Sequence, residues 1–203
     1  MQIRELAIRD AYEIVPVQWR DERGAFLEHF KAAELEAVTG RLFSVRQANT
    51  SISRKGVIRG IHFADTPPGQ AKYVSLTRGA GIDFVVDIRV GSPTFGQWDS
   101  VLLDAETRTS VFVSEGLGHA FAALTDDATL SYLVSQPYNP SAEHDLNALD
   151  PDIALKFPPE MGAPILSTKD RAASTLTELR DRGQLPTWDA MRAFYDSGQW
   201  DGN

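Results

Sequence analysis

The chain of 203 residues contains no cysteine. That absence removes disulfides, zinc–thiolate and iron–sulfur centres and cysteine nucleophiles together, and it fits a reducing compartment. No stretch approaches the roughly 20 consecutive apolar residues of a helical membrane span. The opening residues Met1-Gln2-Ile3-Arg4-Glu5 lack a basic segment followed by an apolar run, so a cytoplasmic protein without a membrane partner is predicted. Positive charge is the minority sign, 20 Lys and Arg against 28 Asp and Glu, for a formal net charge of −8. With no Lys/Arg run to interrupt it, that balance repels nucleic acid. A small anionic ligand remains compatible, because two or three arginines in one cleft outweigh the mean field at short range. Histidine is scarce too: His29, His62, His119 and His144 include no His-x-His pair.

What is present reads as all-β. Short runs rich in Val, Ile, Phe and Tyr, broken by Gly, Pro, Asp and Ser, occupy 45–53, 56–63, 71–78, 81–89, 98–103, 109–114, 119–124 and 128–138. Many short strands point to a barrel or jelly roll. The loop Glu115-Gly116-Leu117-Gly118-His119, entering a strand, resembles the second cupin motif. The expected fold is therefore a cupin-type double-stranded β-helix (jelly roll) with short C-terminal helices. Its β domain is expected to span 1–170, with a helical extension, 171–203, packed on it. Ala32–Thr39 reads as a helix stopped by Gly40, and 174–183 and 189–195 read as two more. In Ile82-Asp83-Phe84-Val85-Val86-Asp87-Ile88 the apolar positions alternate, so Asp83 and Asp87 share a face, here expected to be the solvent face.

Two histidines could carry chemistry. His62 follows Arg59 and Gly60 and is soon followed by Gln70-Ala71-Lys72, which gathers a base, a guanidinium and an ammonium. Positions 59 and 62 have opposite parity, so a regular strand would turn them to opposite faces; a bulge at Gly60, a strand end or a neighbouring subunit would each reconcile them. Metal-binding cupins use a His-x-His pair, a downstream Glu and a later His, and position 64 here is Ala. No metal and no cofactor are expected. His29 and His144 read as structural.

The motifs Asp21-Glu22-Arg23-Gly24-Ala25-Phe26-Leu27-Glu28, Gln47-Ala48-Asn49, Gly56-Val57-Ile58-Arg59-Gly60-Ile61-His62-Phe63, Gln70-Ala71-Lys72, Gly91-Ser92-Pro93-Thr94-Phe95-Gly96, Gly118-His119-Ala120-Phe121, Tyr132, Tyr138-Asn139-Pro140 with Glu143, and Ser167-Thr168-Lys169-Asp170 stand in one order and spacing. In that order the chain resembles the dTDP-4-dehydrorhamnose 3,5-epimerase family from about Leu6 to Asp170. The resemblance implies that His62 is the general base, oriented by Asp170, and that Tyr132 is the acid, with Lys72 as the cation for a developing enolate. It also implies Arg23 and Arg59 at the pyrophosphate, Phe26, Glu28, Gln47, Asn49 and Tyr138 around the thymidine, and His119 and Glu143 as pocket residues. The implied substrate is a dTDP-linked 4-keto-6-deoxy sugar and the implied assembly a homodimer. Base and acid types suit the reaction: an imidazole titrating near ~6.5 accepts a proton at neutral pH, and a phenol near ~10 can donate one. Departures at Ala64-Asp65, Gly118-His119-Ala120 and Asn147-Ala148-Leu149 leave open a relative that inverts only C3 or only C5. A 3,4-ketoisomerase and a non-catalytic sugar-nucleotide-binding cupin stand as further alternatives.

Overall fold

A computed structural model describes residues 1–198. One sheet has six strands, in spatial order β1 (Gln2–Glu5), β2 (Ala11–Val15), β10 (Ser110–Val113), β7 (Lys72–Arg78), β12 (Ala128–Val134) and β5 (Gln47–Ser53). A second has five: β13 (Glu143–Asp145), β6 (Ile58–Ala64), β11 (Gly118–Ala123), β8 (Ala80–Val86) and β9 (Trp98–Asp104). All of these pairings are antiparallel. From β5 onward the chain passes mostly from one sheet to the other, which is the winding of a double-stranded β-helix. Four short helices accompany the sheets: α1 (Ala32–Thr39), α2 (Thr168–Arg171), α3 (Leu176–Asp181) and α4 (Trp188–Asp196). Among the described residues no helix is long and apolar enough to cross a membrane.

Both faces of each of the two large sheets carry buried apolar residues. Between the sheets, Val74, Leu76, Val111 and Leu130 of one meet Val85, Val101, Leu103 and Phe121 of the other in a core that removes apolar surface from water on both. The outer face of the five-stranded sheet, with Phe63, Phe84 and Val86, is covered by Leu146, Ile153, Met161, Leu176 and Leu179 from the chain after β13. The outer face of the six-stranded sheet packs Tyr12, Tyr73 and Phe112 against Leu35 of α1 and Phe43.

This layering corrects the expectation for Asp83 and Asp87. Both are fully buried, because the apolar positions of β8 face the C-terminal cover and the opposite face, with both aspartates, turns into the barrel. Each is compensated there. Arg89, itself without exposed surface, donates to both oxygens of Asp87 and to Asp10 Oδ2 at 2.7 Å, and Asp83 Oδ2 meets His119 Nε2 at 2.7 Å. Buried ions persist only with such partners.

Not all the elements were legible. α1 has the expected bounds, with Gly40 in the left-handed conformation at its C-terminal cap. The strands before α1 and the three-residue β13 carry no clear alternation and were not anticipated. β3 (Gln18–Asp21) and β4 (Gly24–Leu27) pair only with each other, and this hairpin projects Trp19 and Phe26, half and two-thirds exposed, as a tilted aromatic pair with centroids 5.8 Å apart.

The parity conflict at Arg59 and His62 is resolved inside β6. His62 pairs with His119 and Arg59 with Phe121, so β6 advances three residues while β11 advances two. The extra residue is a bulge at Gly60-Ile61, both buried, which returns Arg59 and His62 to one face. Gly60 has φ of 104°, and a Cβ there would lie 2.5 Å from the carbonyl oxygen of His119. Gly60→Ala is expected to cost about 1–3 kcal/mol through backbone strain and to separate the Arg59 and His62 side chains. A lowered melting temperature together with lost activity in the soluble variant would bear this out, and unchanged values would show that the bulge tolerates a side chain.

Candidate active site

The mouth of the barrel holds a cavity of about 320 Å³ whose walls come from both sheets. Rows of cross-strand partners explain its composition. Gln47, Val134 and Lys72 form one row across β5, β12 and β7, Asn49, Tyr132 and Val74 the next, and Ser51, Leu130 and Leu76 a third. Polar side chains occupy the rows toward the mouth, and Val74, Leu76 and Leu130 form the apolar floor. Lys72, Tyr132 and Asn49 therefore line one wall, and Arg59 and His62 come from β6 on the other. Asp145 and Glu143 arrive on β13, which is zipped to β6 by paired backbone hydrogen bonds between Ile61 and Leu146. Ser167, Lys169 and Asp170 come from α2 and its cap.

His62 is half-buried, and its Nε2 lies 2.7 Å from Asp170 Oδ1. With Nε2–H donated to that carboxylate, the ring's lone pair resides on Nδ1. Asp170 is fixed in turn: Ser167 Oγ donates to its Oδ2 at 2.7 Å and accepts from its backbone N–H as the cap of α2. Burial pushes the Asp170 carboxyl up, but the hydrogen bonds from His62 and Ser167 with the charges of His62 and Lys169 outweigh it, leaving the group below the usual carboxylate range. It is thus an anion at neutral pH, ready to steady an imidazolium.

Tyr132 stands on the opposite wall. Burial raises its phenol, Arg59 opposes that and Glu143 adds to it, so the group keeps its proton at neutral pH. Lys72 is buried, which pushes its ammonium down against the attraction of Glu143 and Asp83. Among the described residues its ammonium has no fixed hydrogen bond, and a cation held so in a water-poor wall could meet negative charge in the cavity. Arg59 is aimed by Ser53 Oγ, 2.9 Å from its Nε, and by the carbonyl of Ile52.

The other expected residues divide. Gln47 donates to Asn49 and accepts from the backbone N–H of Tyr138, a rim assembly beside a second cavity of about 280 Å³ that shares Gln70, Tyr138 and Glu143 with the first. His119 stands behind the wall and braces Asp83, which in turn attracts Lys72. Arg23 and Phe26 do not join the His62 cavity of their own chain. They line a separate depression on the β3–β4 hairpin, where Arg23 is paired with Asp21. Glu28, just beyond the hairpin, pairs with Lys31. Neither His29 nor His144 lines the His62 cavity: His29 packs edge-on against Tyr73, and His144 stacks on Phe63 and bonds Asp65.

Asp145 was missed. It is the cross-strand partner of His62, and nothing in the sequence around the short β13 signals that. His62, Asp145 and Asp170 bring one ligand atom each within 4.8 Å of one another. A divalent cation could use that spacing, but Lys169 Nζ lies 3.0 Å from Asp145 and already supplies positive charge there.

A jelly-roll cavity with a carboxylate-oriented imidazole on one wall and a protonated phenol on the other defines an acid–base isomerase class. The family model for dTDP-4-dehydrorhamnose 3,5-epimerase matches residues 5–178. A dTDP-4-dehydrorhamnose 3,5-epimerase of Mycolicibacterium smegmatis is 52% identical over 97% of this chain and 96% of its own. A dTDP-4-dehydrorhamnose 3-epimerase of Streptomyces niveus is 48% identical over 95% and 92%. Among solved structures, an epimerase of Mycobacterium tuberculosis superposes with a TM-score of 0.94 at 47% identity, covering 97% of this chain and 99% of that one. ChmJ, a 3'-monoepimerase from Streptomyces bikiniensis in complex with dTDP-quinovose, superposes at 0.92 with 45% identity, covering 96% and 98%. The chain belongs to the dTDP-4-dehydrorhamnose 3,5-epimerase family and is an epimerase.

The depressed Lys72 ammonium makes a stability prediction. A lysine whose folded-state pKa lies below its unfolded value binds fewer protons when folded, so its charge costs stability at neutral pH and the cost fades as pH rises through the lysine range. Lys72→Met should therefore melt above wild type at neutral pH, the gap narrowing toward alkaline pH, while turnover is lost. A variant that melts well below wild type at neutral pH would contradict this.

Proposed function

We propose that the protein inverts C3 and C5 of dTDP-4-dehydro-6-deoxy-D-glucose, giving dTDP-4-dehydro-L-rhamnose, without metal or cofactor. The observation that carries this reading is the placement of His62 and Tyr132 on facing sheets around one cavity. Inversion beside a ketone removes a proton from one face of the sugar ring and returns one to the other, so base and acid must flank the ring. His62 Nδ1 takes the proton from the carbon next to the C4 ketone, and the electron pair moves onto the ketone oxygen as an enolate. Lys72 offsets that oxyanion's charge, and Asp170 steadies the imidazolium. Tyr132 then protonates the opposite face, the enolate collapses to the ketone, and Tyr132 and His62 exchange protons with solvent. The second centre repeats the sequence. Arg59 and the Gln47–Asn49–Tyr138 rim hold the diphosphate and the nucleoside.

A second reading, inversion at C3 alone, is favoured by one finding: the relatives include 3-epimerases as similar to this chain as several 3,5-epimerases are. Both readings use the same residues. Nuclear magnetic resonance of dTDP-4-keto-6-deoxyglucose incubated with the protein in deuterated water separates them. Deuterium at C3 and C5 supports the double epimerase and label at C3 alone the single one, while no exchange at either carbon defeats both. His62→Ala should slow exchange by roughly 10²- to 10⁴-fold, the scale of general base catalysis, and Tyr132→Phe should slow product formation more than exchange.

We also propose a cytoplasmic homodimer in which each β3–β4 hairpin delivers Arg23, Phe26 and Glu28 to the partner's cavity. Two exposed aromatics and an arginine stranded away from their own chain's site support it. Arg23→Ala should then raise KM for the nucleotide sugar severalfold with kcat little changed, because an arginine–phosphate bond formed before and during the reaction is uniform binding. An unmoved KM would remove Arg23 from the site.

A further inference from the structure

Asp170 is not the only carboxylate on the base. Asp145 stands directly across from His62 in the β13–β6 register, with Oδ1 3.6 Å from the same Nε2 that Asp170 engages. That separation is too long for a hydrogen bond and short for a charge contact. Oδ1 is buried and has no hydrogen-bond partner among the described residues. The other oxygen is held by Lys169 Nζ at 3.0 Å. A buried acceptor left open beside an N–H is an arrangement that folding alone does not favour, since an unsatisfied carboxylate oxygen costs free energy. It becomes favourable when the ring beside it carries positive charge.

We infer that Asp145 is a positioning residue for the general base: a second carboxylate, held in place by Lys169, that stabilises the imidazolium His62 becomes after it takes the substrate proton. The inference rests on the proposed role of His62 and adds a residue to it. Asp170, at hydrogen-bond distance, sets the ring's tautomer and direction. Asp145 acts through space on the ring's charge and so on how strongly Nδ1 holds a proton. Lys169, 3.0 Å from the other oxygen of Asp145, limits that effect by offsetting part of its charge. The charged and titratable groups around His62 are Asp145 and Glu143 on β13, Asp170 and Lys169 on α2, His119 opposite it on β11, Arg59 on its own strand, and Tyr132 and Lys72 on the facing sheet. Of these, Asp145 and Asp170 alone bring a carboxylate oxygen within 4.0 Å of the ring.

Asp145→Asn removes the charge at nearly constant shape, and isotope-labelled histidine lets the His62 ring be titrated by nuclear magnetic resonance with chelator present and without turnover. The expected result is a titration midpoint lower than wild type by about half a unit to one unit, the scale of one partly screened charge at this distance. The acid limb of the kcat/KM profile should move down by the same amount, with KM at neutral pH little changed. Asp145→Ser, which removes the same charge with a smaller side chain, should also lower the midpoint, and this second neutral variant keeps the test decisive if Asp145→Asn folds poorly. A midpoint unmoved in both variants overturns the inference. Because the titration needs no substrate, an inactive wild type would count against the proposed function alone, and an active enzyme with an unmoved midpoint against Asp145 alone.

Discussion

The contact on which the site depends is between backbones, where Gly60 passes the carbonyl of His119 with no room for a side chain. At that point β6 takes one more residue than its neighbour, and the bulge turns an odd spacing into a shared face. Without it, an arginine at 59 and a histidine at 62 would lie on opposite sides of the sheet, one in the cavity and one in the apolar layer beneath the C-terminal cover. Ile61, displaced onto the covered side, packs with Phe63, Phe84 and Leu146, so the apolar layer holds the bulge in place from behind. The pairing of Ile61 with Leu146 then continues the sheet into β13 and brings Glu143 and Asp145 to the cavity.

Charge is distributed around the cavity so that each buried ion has a counter-ion and the central ones retain capacity for a ligand. Asp170 is bonded by His62 and Ser167, and Asp145 by Lys169. Lys72 is drawn by Glu143 and Asp83, yet among the described residues no hydrogen bond fixes its ammonium. A chain of net charge −8 can therefore present cationic side chains to an anionic nucleotide sugar. At contact distance the local donors matter more than the mean field, because salt screens charges beyond about 10 Å. The buried Asp87–Arg89–Asp10 cluster uses the same chemistry for a different purpose. Its acceptors are satisfied by Arg89, Ser92 and Thr94, and it ties the end of β8 to the turn before β2 without opening to the cavity.

The barrel was legible in the sequence because most of its core strands end at Gly, Pro, Asp or Ser and carry β-branched or aromatic residues between. Observed bounds fall within a few residues of those read from composition. Three features were not legible, each for a physical reason. Asp83 and Asp87 alternate with apolar residues as solvent-facing charges do, and only the C-terminal cover, far away in sequence, makes their side the interior. β13 is too short to show a period, so Asp145 could not be placed beside His62. The link from His62 to Asp170 spans 108 positions. Spacing cannot reveal such a pair, and family resemblance supplied it, as it did Tyr132. Arg23 and Phe26 were identified by motif, while their location on a hairpin that leaves the barrel depends on tertiary structure.

In the proposed mechanism, with His62 as base and Tyr132 as acid on facing sheets, stereochemistry is decided by wall and not by carbon. Any hydrogen on a carbon beside the ketone that points toward His62 can be taken, and the proton returned from the Tyr132 side arrives on the opposite face. Both ring positions beside the C4 ketone satisfy that rule if the ring can turn to present them in succession. An enzyme of one inversion and an enzyme of two therefore need no difference in their catalytic side chains. On the proposed reading, the difference lies in how far the cavity lets the ring rotate while Arg59 and the Tyr138 rim hold the nucleotide. Gln70, Tyr138 and Glu143, which the two adjoining cavities share, stand between the walls and the rim. Glu143 also bears on the acid and the enolate cation, raising Tyr132 and drawing Lys72. A side chain at the junction of the two cavities is thus coupled to both Tyr132 and Lys72, so on the proposed reading a change there would alter regiochemistry and rate together.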